Sequence, residues 1–220
     1  MKLIIFVHTC EKYEESRAKL IEKTWGGKEN VVFITDNPNS SLNNHIYIGP
    51  YKSGPTYHPE NVFKMFNLFL NKFYDYDFFM IIDDDSYLYI NKLELYLSFF
   101  NKDDPYMIGE FLNWTYPRTE HSFTCDYNRW SSGGPGIVFT KSCIEKFLIL
   151  IKSINIPYTN HDVWLHNLFM CSDKRIKRVD CPAFHQYNSK TLLNTYSKTD
   201  NNIISVHLER DLNLLFDYHI

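Results

Sequence analysis

The sequence predicts a single α/β domain with a parallel sheet, and three features of the 220-residue chain support this interpretation. Short apolar runs, typical of buried strands, alternate with segments in which apolar residues recur at helical spacing. This alternation indicates strand-helix-strand units, which build parallel sheets. Polar residues follow several of the apolar runs, at the carboxyl ends of strands, where ligands bind in such sheets. We expect one domain over residues 1–220, because no internal repeat or low-complexity linker divides the sequence.

The first half of the chain has the clearest alternation. Strands are predicted at 2–8, 31–35, 46–48 and 78–82, and helices at 20–25, 62–73 and 91–100. The first helix is expected to end at Gly26-Gly27, because glycine is unfavourable within helices. The second strand runs into the turn-forming residues 36–39.

The second half of the chain is less regular. An aromatic, loop-rich stretch covers 111–130, and the glycine-rich segment 131–136 predicts a tight turn. A short strand is expected at 137–139, followed by helices near 141–152 and 160–170. Another apolar run, at 203–208, contains His207.

Composition and charge exclude several classes of protein. The net charge of −3 excludes a strongly basic surface of the kind that binds nucleic acid. Every apolar run is shorter than the roughly 18 residues needed to cross a bilayer, and the first is too short for a secretory signal. We therefore expect a soluble cytoplasmic protein without a membrane span. The five cysteines form no CxxC pair, so neither a zinc site nor a complete disulfide framework is indicated.

The choice of amino acids carries information about the source rather than the chemistry. The chain is rich in residues with AT-rich codons, including 16 Tyr and 17 Phe. This bias indicates an AT-rich genome, and we expect a viral, protist or bacterial origin.

Three consecutive aspartates, Asp83, Asp84 and Asp85, follow the fourth predicted strand. Like charges crowded at a buried strand end raise one another's pKa, so such a cluster needs compensation. A divalent cation such as Mg²⁺ or Mn²⁺, shared with a phosphate, would supply it. Two other interpretations stay open, a solvated acidic turn and the nucleophilic motif of an aspartate-phosphorylating phosphatase, although that motif normally lies near the first strand.

Other polar positions are ambiguous when each is considered alone. Thr9 and Asp36 lie at predicted strand ends, where a ligand could bind. The segment 132–136 would permit close approach of a ligand, or simply reverse the chain. Asp162 opens a predicted helix and could act as a cap. His207 ends an apolar run, where a histidine is more often structural than a ligand.

The order of these segments resembles the Fringe and β-1,3-galactosyltransferase family, which includes the core 1 galactosyltransferases. The matching segments are Arg17 with Thr24-Trp25, then 33–36, 79–87, 132–136, Asp162-Val163 and Val206-His207. The resemblance spans nearly the whole chain. It implies a GT-A fold, a Rossmann-like mixed sheet flanked by helices. It also implies an inverting transfer from a UDP-sugar to a glycan or glycoprotein acceptor, forming a β-1,3 linkage with Mn²⁺ or Mg²⁺ as cofactor.

The resemblance implies roles for the residues on the donor side. The aspartate triplet corresponds to the family's DxD motif, in which Asp83 and Asp85 are expected to bind the metal together with His207. Asp83 or Asp84 is also expected near the ribose. Three further residues, Thr9, Arg17 and Asp36, are expected beside UDP.

The resemblance also implies roles on the acceptor side. Gly133 and Gly134 match the turn beside the transferred sugar and the acceptor, and Asp162 matches the catalytic base. His161 stands where the family usually has Glu, and it could itself act as the base, because an imidazole titrates near neutral pH. Two other functions stay open: an inactive UDP-sugar-binding module and a metal-dependent phosphohydrolase.

Overall fold

The fold was analysed in a computed structural model of the protein. The structure describes residues 1–51, 59–113, 129–154, 161–172, 175–186, 190, 192, 203–208 and 211–219. Most of the predicted loop-rich stretch at 111–130 lies outside the described residues, as does the first residue of the helix predicted at 160–170. None of the helices in this described part is long and apolar enough to span a membrane.

Twelve strands and seven α-helices are described. The strands are Leu3–His8 (β1), Val31–Thr35 (β2), His45–Tyr47 (β3), Phe78–Asp83 (β4), Ser86–Leu88 (β5), Tyr106–Gly109 (β6), Phe111–Asn113 (β7), Arg129–Ser131 (β8), Ile137–Thr140 (β9), Lys177–Asp180 (β10), Phe184–His185 (β11) and Ser205–His207 (β12). The helices are Glu11–Tyr13 (α1), Lys19–Lys23 (α2), Pro59–Lys72 (α3), Ile90–Leu97 (α4), Lys141–Ser153 (α5), His161–Met170 (α6) and Leu214–His219 (α7). A π-helical stretch, Glu14–Ala18, joins α1 to α2.

The central sheet has seven strands in the order β10-β6-β9-β4-β1-β2-β3. Strands β1, β2, β3 and β4 pair in parallel, as the alternation in the first half predicts. Strand β9 is antiparallel to both of its neighbours, β4 and β6, so the sheet is mixed. The sheet therefore has the mixed α/β architecture that the family resemblance implies.

Helices cover both faces of the sheet because its central strands are apolar on both sides. All six residues of β1 and all six of β4 are buried. On one face, α3, α5 and α6 pack their apolar sides against the sheet. On the other face, α2, α4 and α7 contribute buried leucine and isoleucine side chains to a second apolar cluster. This burial on both faces is typical of strands within an α/β sheet.

Two small sheets lie outside the central one. Strands β11, β12 and β5 form a three-stranded sheet in which β12 is antiparallel to β5. Strands β7 and β8 form an antiparallel pair. The short strand β5 directly follows the aspartate triplet, so the three-stranded sheet begins at the predicted site.

Candidate functional site

The aspartate triplet forms the connection between β4 and β5. Asp83 is the last residue of β4, and β5 begins at Ser86. All three aspartates are at most 7% exposed. The Ser86 hydroxyl donates to the carbonyl oxygen of Gly134 at 2.6 Å, and the Trp25 indole N–H donates to the Ser86 carbonyl oxygen at 3.0 Å. Hydrogen bonds with Trp25 and with Gly134 therefore fix the end of this connection at Ser86.

Arg17 and Thr9 anchor the second and third aspartates. Arg17 Nη1 lies 2.7 Å from Asp85 Oδ2 and 3.1 Å from Asp84 Oδ1. The Thr9 hydroxyl donates to Asp84 Oδ2 at 2.7 Å. Arg17 belongs to the π-helical stretch, and its guanidinium carbon lies 3.9 Å from the ring centre of Tyr13. Thr9 and Arg17 were predicted beside UDP, and the contacts described here are with the aspartates.

Pairing of β12 with β5 brings His207 to the triplet. His207 faces Ser86 in this antiparallel register, and the Leu208 N–H donates to the Asp85 carbonyl oxygen at 2.8 Å. His207 Nε2 lies 3.1 Å from Asp85 Oδ1. The structure thus brings His207 and Asp85, two of the three predicted metal ligands, into direct contact.

Burial dominates the electrostatics of the cluster. Burial, with the charge of Asp85 adding to it, raises the pKa of Asp83 well above its usual value. Burial also raises the pKa of Asp84 to about 7, although its hydrogen bond with Thr9 and its contacts with Arg17 oppose the shift. Burial alone would lower the pKa of His207, but contact with Asp85 and the charge of Asp83 outweigh it and raise that pKa. A further positive charge at this site would favour the ionised forms of Asp83 and Asp84.

The donor set suits a divalent cation. Among the described residues, Asp83 Oδ1 is buried and has no hydrogen-bond partner, so it has a lone pair available for a cation. Carboxylate oxygens together with an imidazole nitrogen are ligands that Mn²⁺ accepts. Within the described part of the chain, no three His, Cys, Asp or Glu side chains are already grouped as a metal site. In this structure His207 contacts Asp85 instead.

The predicted glycine turn lies between two histidine rings. The Gly136 N–H donates to the Gly133 carbonyl oxygen at 3.0 Å, which closes the turn. A Cβ atom on Gly133 would lie 2.5 Å from His161 Nε2, and one on Gly134 would lie 2.7 Å from His207 Cγ. Gly136 has φ +98°, a left-handed conformation that favours glycine. Glycine is thus needed here for close approach of the flanking rings as well as for the turn.

Asp162, the predicted base, lies beside Gly133, whereas His207 lies beside the next residue, Gly134. Asp162 is the second residue of α6, and its Oδ1 accepts from the Val163 N–H at 2.7 Å. A Cβ atom on Gly133 would lie 3.5 Å from Asp162 Cβ. The charge of Asp162 contributes to the raised pKa of Asp83, so the two carboxylates are close enough to interact. Burial lowers the pKa of the adjacent His161.

Asp36, the predicted nucleoside contact, lies at the end of β2. Its Oδ1 accepts from the Glu11 N–H at 2.8 Å and so holds the start of α1. Tyr51, which the sequence did not single out, lies in the same region. Its hydroxyl donates to the Ile34 carbonyl oxygen at 3.1 Å, and its ring centre lies 5.1 Å from that of His8. Burial, and next the charge of Asp36, raise the pKa of Tyr51.

Gln186 and Glu110 complete the surroundings of His207, and sequence analysis missed both. Gln186 Nε2 lies 2.8 Å from His207 Nδ1, and the Ser132 hydroxyl donates to Gln186 Oε1. The Gln186 N–H donates to Glu110 Oε2 at 2.6 Å. Burial raises the pKa of Glu110. Glu110 directly follows β6 and Gln186 directly follows β11. A position at a strand end could have indicated these residues, but neither strand was predicted from the sequence.

The structure gathers most of the predicted site residues at the carboxyl end of β4. The ones that cluster around the aspartates and the glycine turn are Thr9, Arg17, Asp83, Asp84, Asp85, Gly133, Gly134, Asp162 and His207. Asp36 lies farther along the sheet, beside α1. The roles assigned to these residues remain predictions.

A family model matches nearly the whole chain. The family model described as Fringe-like matches residues 1–215 of the 220-residue chain. This match covers the whole site described above.

Curated proteins similar to this chain include two mammalian enzymes of the same name. The chain is 24% identical over 188 residues to the beta-1,3-glucosyltransferase of Mus musculus, covering 84% of this chain and 36% of that protein. It is 25% identical over 187 residues to the beta-1,3-glucosyltransferase of Homo sapiens, covering 84% of this chain and 35% of that protein. Chondroitin sulfate synthase 3 of Mus musculus is 26% identical over 172 residues, which are 73% of this chain and 19% of that protein. The chain thus spans about a third or less of the length of these relatives.

A solved structure shares the fold. The crystal structure of a glycosyltransferase involved in the glycosylation of the major capsid of PBCV-1 aligns with a TM-score of 0.53 and 14% identity. The alignment covers 100% of this chain and 98% of that one. At this identity the likeness concerns the fold.

Proposed function

The chain belongs to the Fringe-like family, and from this premise we propose that it is a glycosyltransferase that moves a sugar from a UDP-sugar to an acceptor hydroxyl with inversion. The observation that carries this proposal is the convergence of Asp83, Asp85 and His207 at the end of β4, with Asp162 beside the glycine turn. The names of the two beta-1,3-glucosyltransferases favour a β-1,3 linkage. A glycan or a glycoprotein is the class of acceptor that we propose.

The aspartate side of the site would bind the donor diphosphate. Asp83, Asp85 and His207 would hold Mn²⁺ or Mg²⁺, and the unpartnered, buried Asp83 Oδ1 supports this assignment. When bound, the cation would offset the negative charge that develops on the departing UDP. Arg17 and Thr9 would serve this site by holding Asp84 and Asp85 in place.

Asp162 would act as the general base. In the proposed transfer, the acceptor oxygen forms a bond to the anomeric carbon, while the bond from that carbon to the UDP oxygen breaks. The electron pair of the broken bond leaves with UDP, and the acceptor proton passes to the Asp162 carboxylate. Such a base must lie on the side opposite the leaving group, and Asp162 lies beside Gly133 whereas His207 lies beside Gly134. His161, which is adjacent, is the alternative base.

The carboxyl ends of β1 and β2 would bind the nucleoside. Ligands of α/β sheets bind at such ends, and Asp36 lies there beside Tyr51. An acidic group can accept hydrogen bonds from a ribose or a base, and an aromatic ring can pack against a planar base. We assign Asp36 to selectivity for uridine.

The test is a screen of UDP-sugars for Mn²⁺-dependent hydrolysis or transfer by the purified chain, with UDP binding measured by calorimetry. Turnover of at least one UDP-sugar, abolished by a chelator, is the expected result. Asp85→Ala and His207→Ala should each weaken Mn²⁺-dependent UDP binding, whereas the control Asp217→Ala, on the exposed side of α7, should leave it intact. Binding without turnover would indicate a UDP-sugar-binding module instead. Phosphate release without stable UDP binding would indicate a phosphohydrolase.

A further inference from the structure

Gln186 contacts His207 on the side of the ring that faces away from Asp85. Its side-chain nitrogen lies 2.8 Å from His207 Nδ1, and His207 Nε2 lies 3.1 Å from Asp85 Oδ1. The other end of the Gln186 amide accepts from the Ser132 hydroxyl. Both nitrogens of the imidazole therefore have a polar side chain beside them in this structure.

We propose that Gln186 is a positioning residue that selects the tautomer of His207 and thereby controls whether Nε2 is available to bind a cation. This inference rests on the proposed function, because it assigns a cation to His207. It concerns a residue that lies outside the expected ligand set.

The amide orientation fixes where the imidazole proton lies. In a neutral imidazole one nitrogen donates a hydrogen bond and the other accepts. In the neutral ring, a Gln186 NH₂ group that donates to Nδ1 places the single proton on Nε2, 3.1 Å from Asp85 Oδ1. An Nε2 atom that carries a proton has no lone pair for a metal, so this arrangement describes His207 before it binds a cation.

Rotation of the amide by half a turn would reverse these roles. Gln186 Oε1 would then accept a hydrogen bond from Nδ1–H, and Nε2 would be left with a free lone pair. Metal-bound histidines commonly donate their other N–H to an oxygen acceptor, which fixes the tautomer and makes the ligand more basic. The Gln186 amide can supply that acceptor.

The surroundings of Gln186 allow this rotation without loss of a hydrogen bond. The Ser132 hydroxyl donates to Oε1 in the present orientation, and a hydroxyl can equally accept from an NH₂ group. The backbone of Gln186 stays anchored because its N–H donates to Glu110 Oε2 at 2.6 Å. Gly134 leaves the necessary space, since a Cβ atom there would lie 2.7 Å from Gln186 Oε1.

The experiment compares Gln186→Glu with Gln186→Leu. A glutamate side chain offers a carboxylate acceptor to Nδ1–H, whereas leucine offers no hydrogen bond. Binding of Mn²⁺ alone is measured from the electron paramagnetic resonance signal of the free ion. We expect Gln186→Glu to bind Mn²⁺ at least as tightly as the wild type, and Gln186→Leu to bind roughly 10–100-fold more weakly. The matched control Asn67→Leu removes an amide that, among the described residues, bonds within α3, and it should leave the affinity unchanged.

A second readout does not depend on metal affinity. Nitrogen NMR of the imidazole reports its tautomer in the metal-free protein and after addition of Mg²⁺, which is diamagnetic. For the neutral imidazole, we expect the proton on Nε2 in the metal-free wild type and on Nδ1 both in the Mg²⁺ form and in metal-free Gln186→Glu. Because these spectra include the wild type, they test the role of Gln186 even if Gln186→Leu fails to fold.

Different outcomes overturn the inference and the proposed function. Equal Mn²⁺ affinity in the wild type and Gln186→Leu, with weakened binding in His207→Ala, would overturn the role of Gln186 and leave the cation site standing. An unchanged tautomer in Gln186→Glu would do the same. Equal Mn²⁺ affinity in the wild type and His207→Ala would overturn the proposed cation site itself, and the role of Gln186 with it.

Discussion

Arg17 and Asp85 are joined by a 2.7 Å contact between Nη1 and Oδ2, across 68 positions of the sequence. The same nitrogen lies 3.1 Å from Asp84 Oδ1. Arg17 is therefore the cation that the described structure places between two buried carboxylates. Its removal would leave both carboxylates without this partner.

The first prediction concerns the stability that Arg17 confers. Removing one partner of a buried ion pair typically costs about 3–5 kcal/mol, because the other charge stays buried and uncompensated. We expect Arg17→Met to lower the free energy of unfolding by an amount near the lower end of that range, as measured by chemical denaturation at neutral pH. Added Mn²⁺ should restore part of the loss. Lys19→Met is the control, because Lys19 pairs with the exposed Glu15 and should have little effect. An equal loss in both variants would contradict the prediction.

The second prediction assigns the base. Proton transfer by a positioned base contributes roughly 10²–10⁴-fold to rate. Asp162→Asn, which keeps the size of the side chain but accepts protons poorly, should lower the transfer rate by about that factor, with UDP affinity unchanged. Asp217→Asn, on the exposed side of α7, is the matched control. A normal rate in Asp162→Asn together with a collapse in His161→Gln would assign the base to His161, and lost UDP binding in Asp162→Asn would make Asp162 structural.

The third prediction concerns uridine selectivity. Asp36→Asn keeps an oxygen that can accept from the Glu11 N–H but removes the charge. A hydrogen bond to a charged group contributes roughly 1.5–3 kcal/mol, so its loss corresponds to about a tenfold change or more in binding. We expect the ratio of affinities for UDP and the other nucleoside diphosphates to fall about tenfold, as measured by calorimetry. If Asp36→Asn and Asp36→Ala both keep wild-type selectivity, the nucleoside pocket lies elsewhere.

The fourth prediction concerns stability at acid pH. Burial, with the charge of Arg178 adding to it, lowers the pKa of His166 to about 4. The unfolded chain takes up this proton near pH 6.5, but the folded chain does so only near pH 4. The contribution of neutral His166 is thus complete above pH 6.5 and is lost as the pH falls towards 4, by at most about 1.4 kcal/mol per pH unit.

Denaturation curves of the wild type and His166→Asn at several pH values test this fourth prediction. The asparagine cannot titrate, so the free energy of unfolding of the variant should fall less steeply between pH 6.5 and 4. The two proteins should show parallel dependence above pH 7. Parallel dependence over the whole range would contradict the prediction.

The sequence predicted the buried strands well because a continuous apolar run identifies them. The predicted strand at 31–35 matches β2, and the strand predicted at 78–82 is observed as Phe78–Asp83. Strand direction could not be predicted in the same way, since Ile137–Thr140 is buried on both faces whether it runs parallel or antiparallel. The mixed character of the sheet came from the family resemblance alone.

The sequence pattern within single segments could not predict which distant residues would meet at the site. Strands β5 and β12 have three residues each, too few to show an alternation, yet their pairing brings His207 to Asp85. No sequence pattern around Gln186 points to a role in the site. Its proposed role depends on its contact with Nδ1 of His207, which is 21 positions away in the sequence. Arg17 was expected beside UDP on the basis of resemblance. It lies in a π-helical stretch, which α-helical spacing does not predict, and it contacts Asp84 and Asp85.

The pairing of β12 with β5 also determines when the site can form during synthesis on the ribosome. Domains fold progressively as the chain emerges, and the strands β1, β4 and β9 are complete once Thr140 has been made. His207 emerges only later, with β12. Until β12 pairs with β5, Asp85 in the nascent protein lacks its contact with His207. Mutations that weaken this strand pair should therefore prolong the partly folded state and make the protein depend more on chaperones.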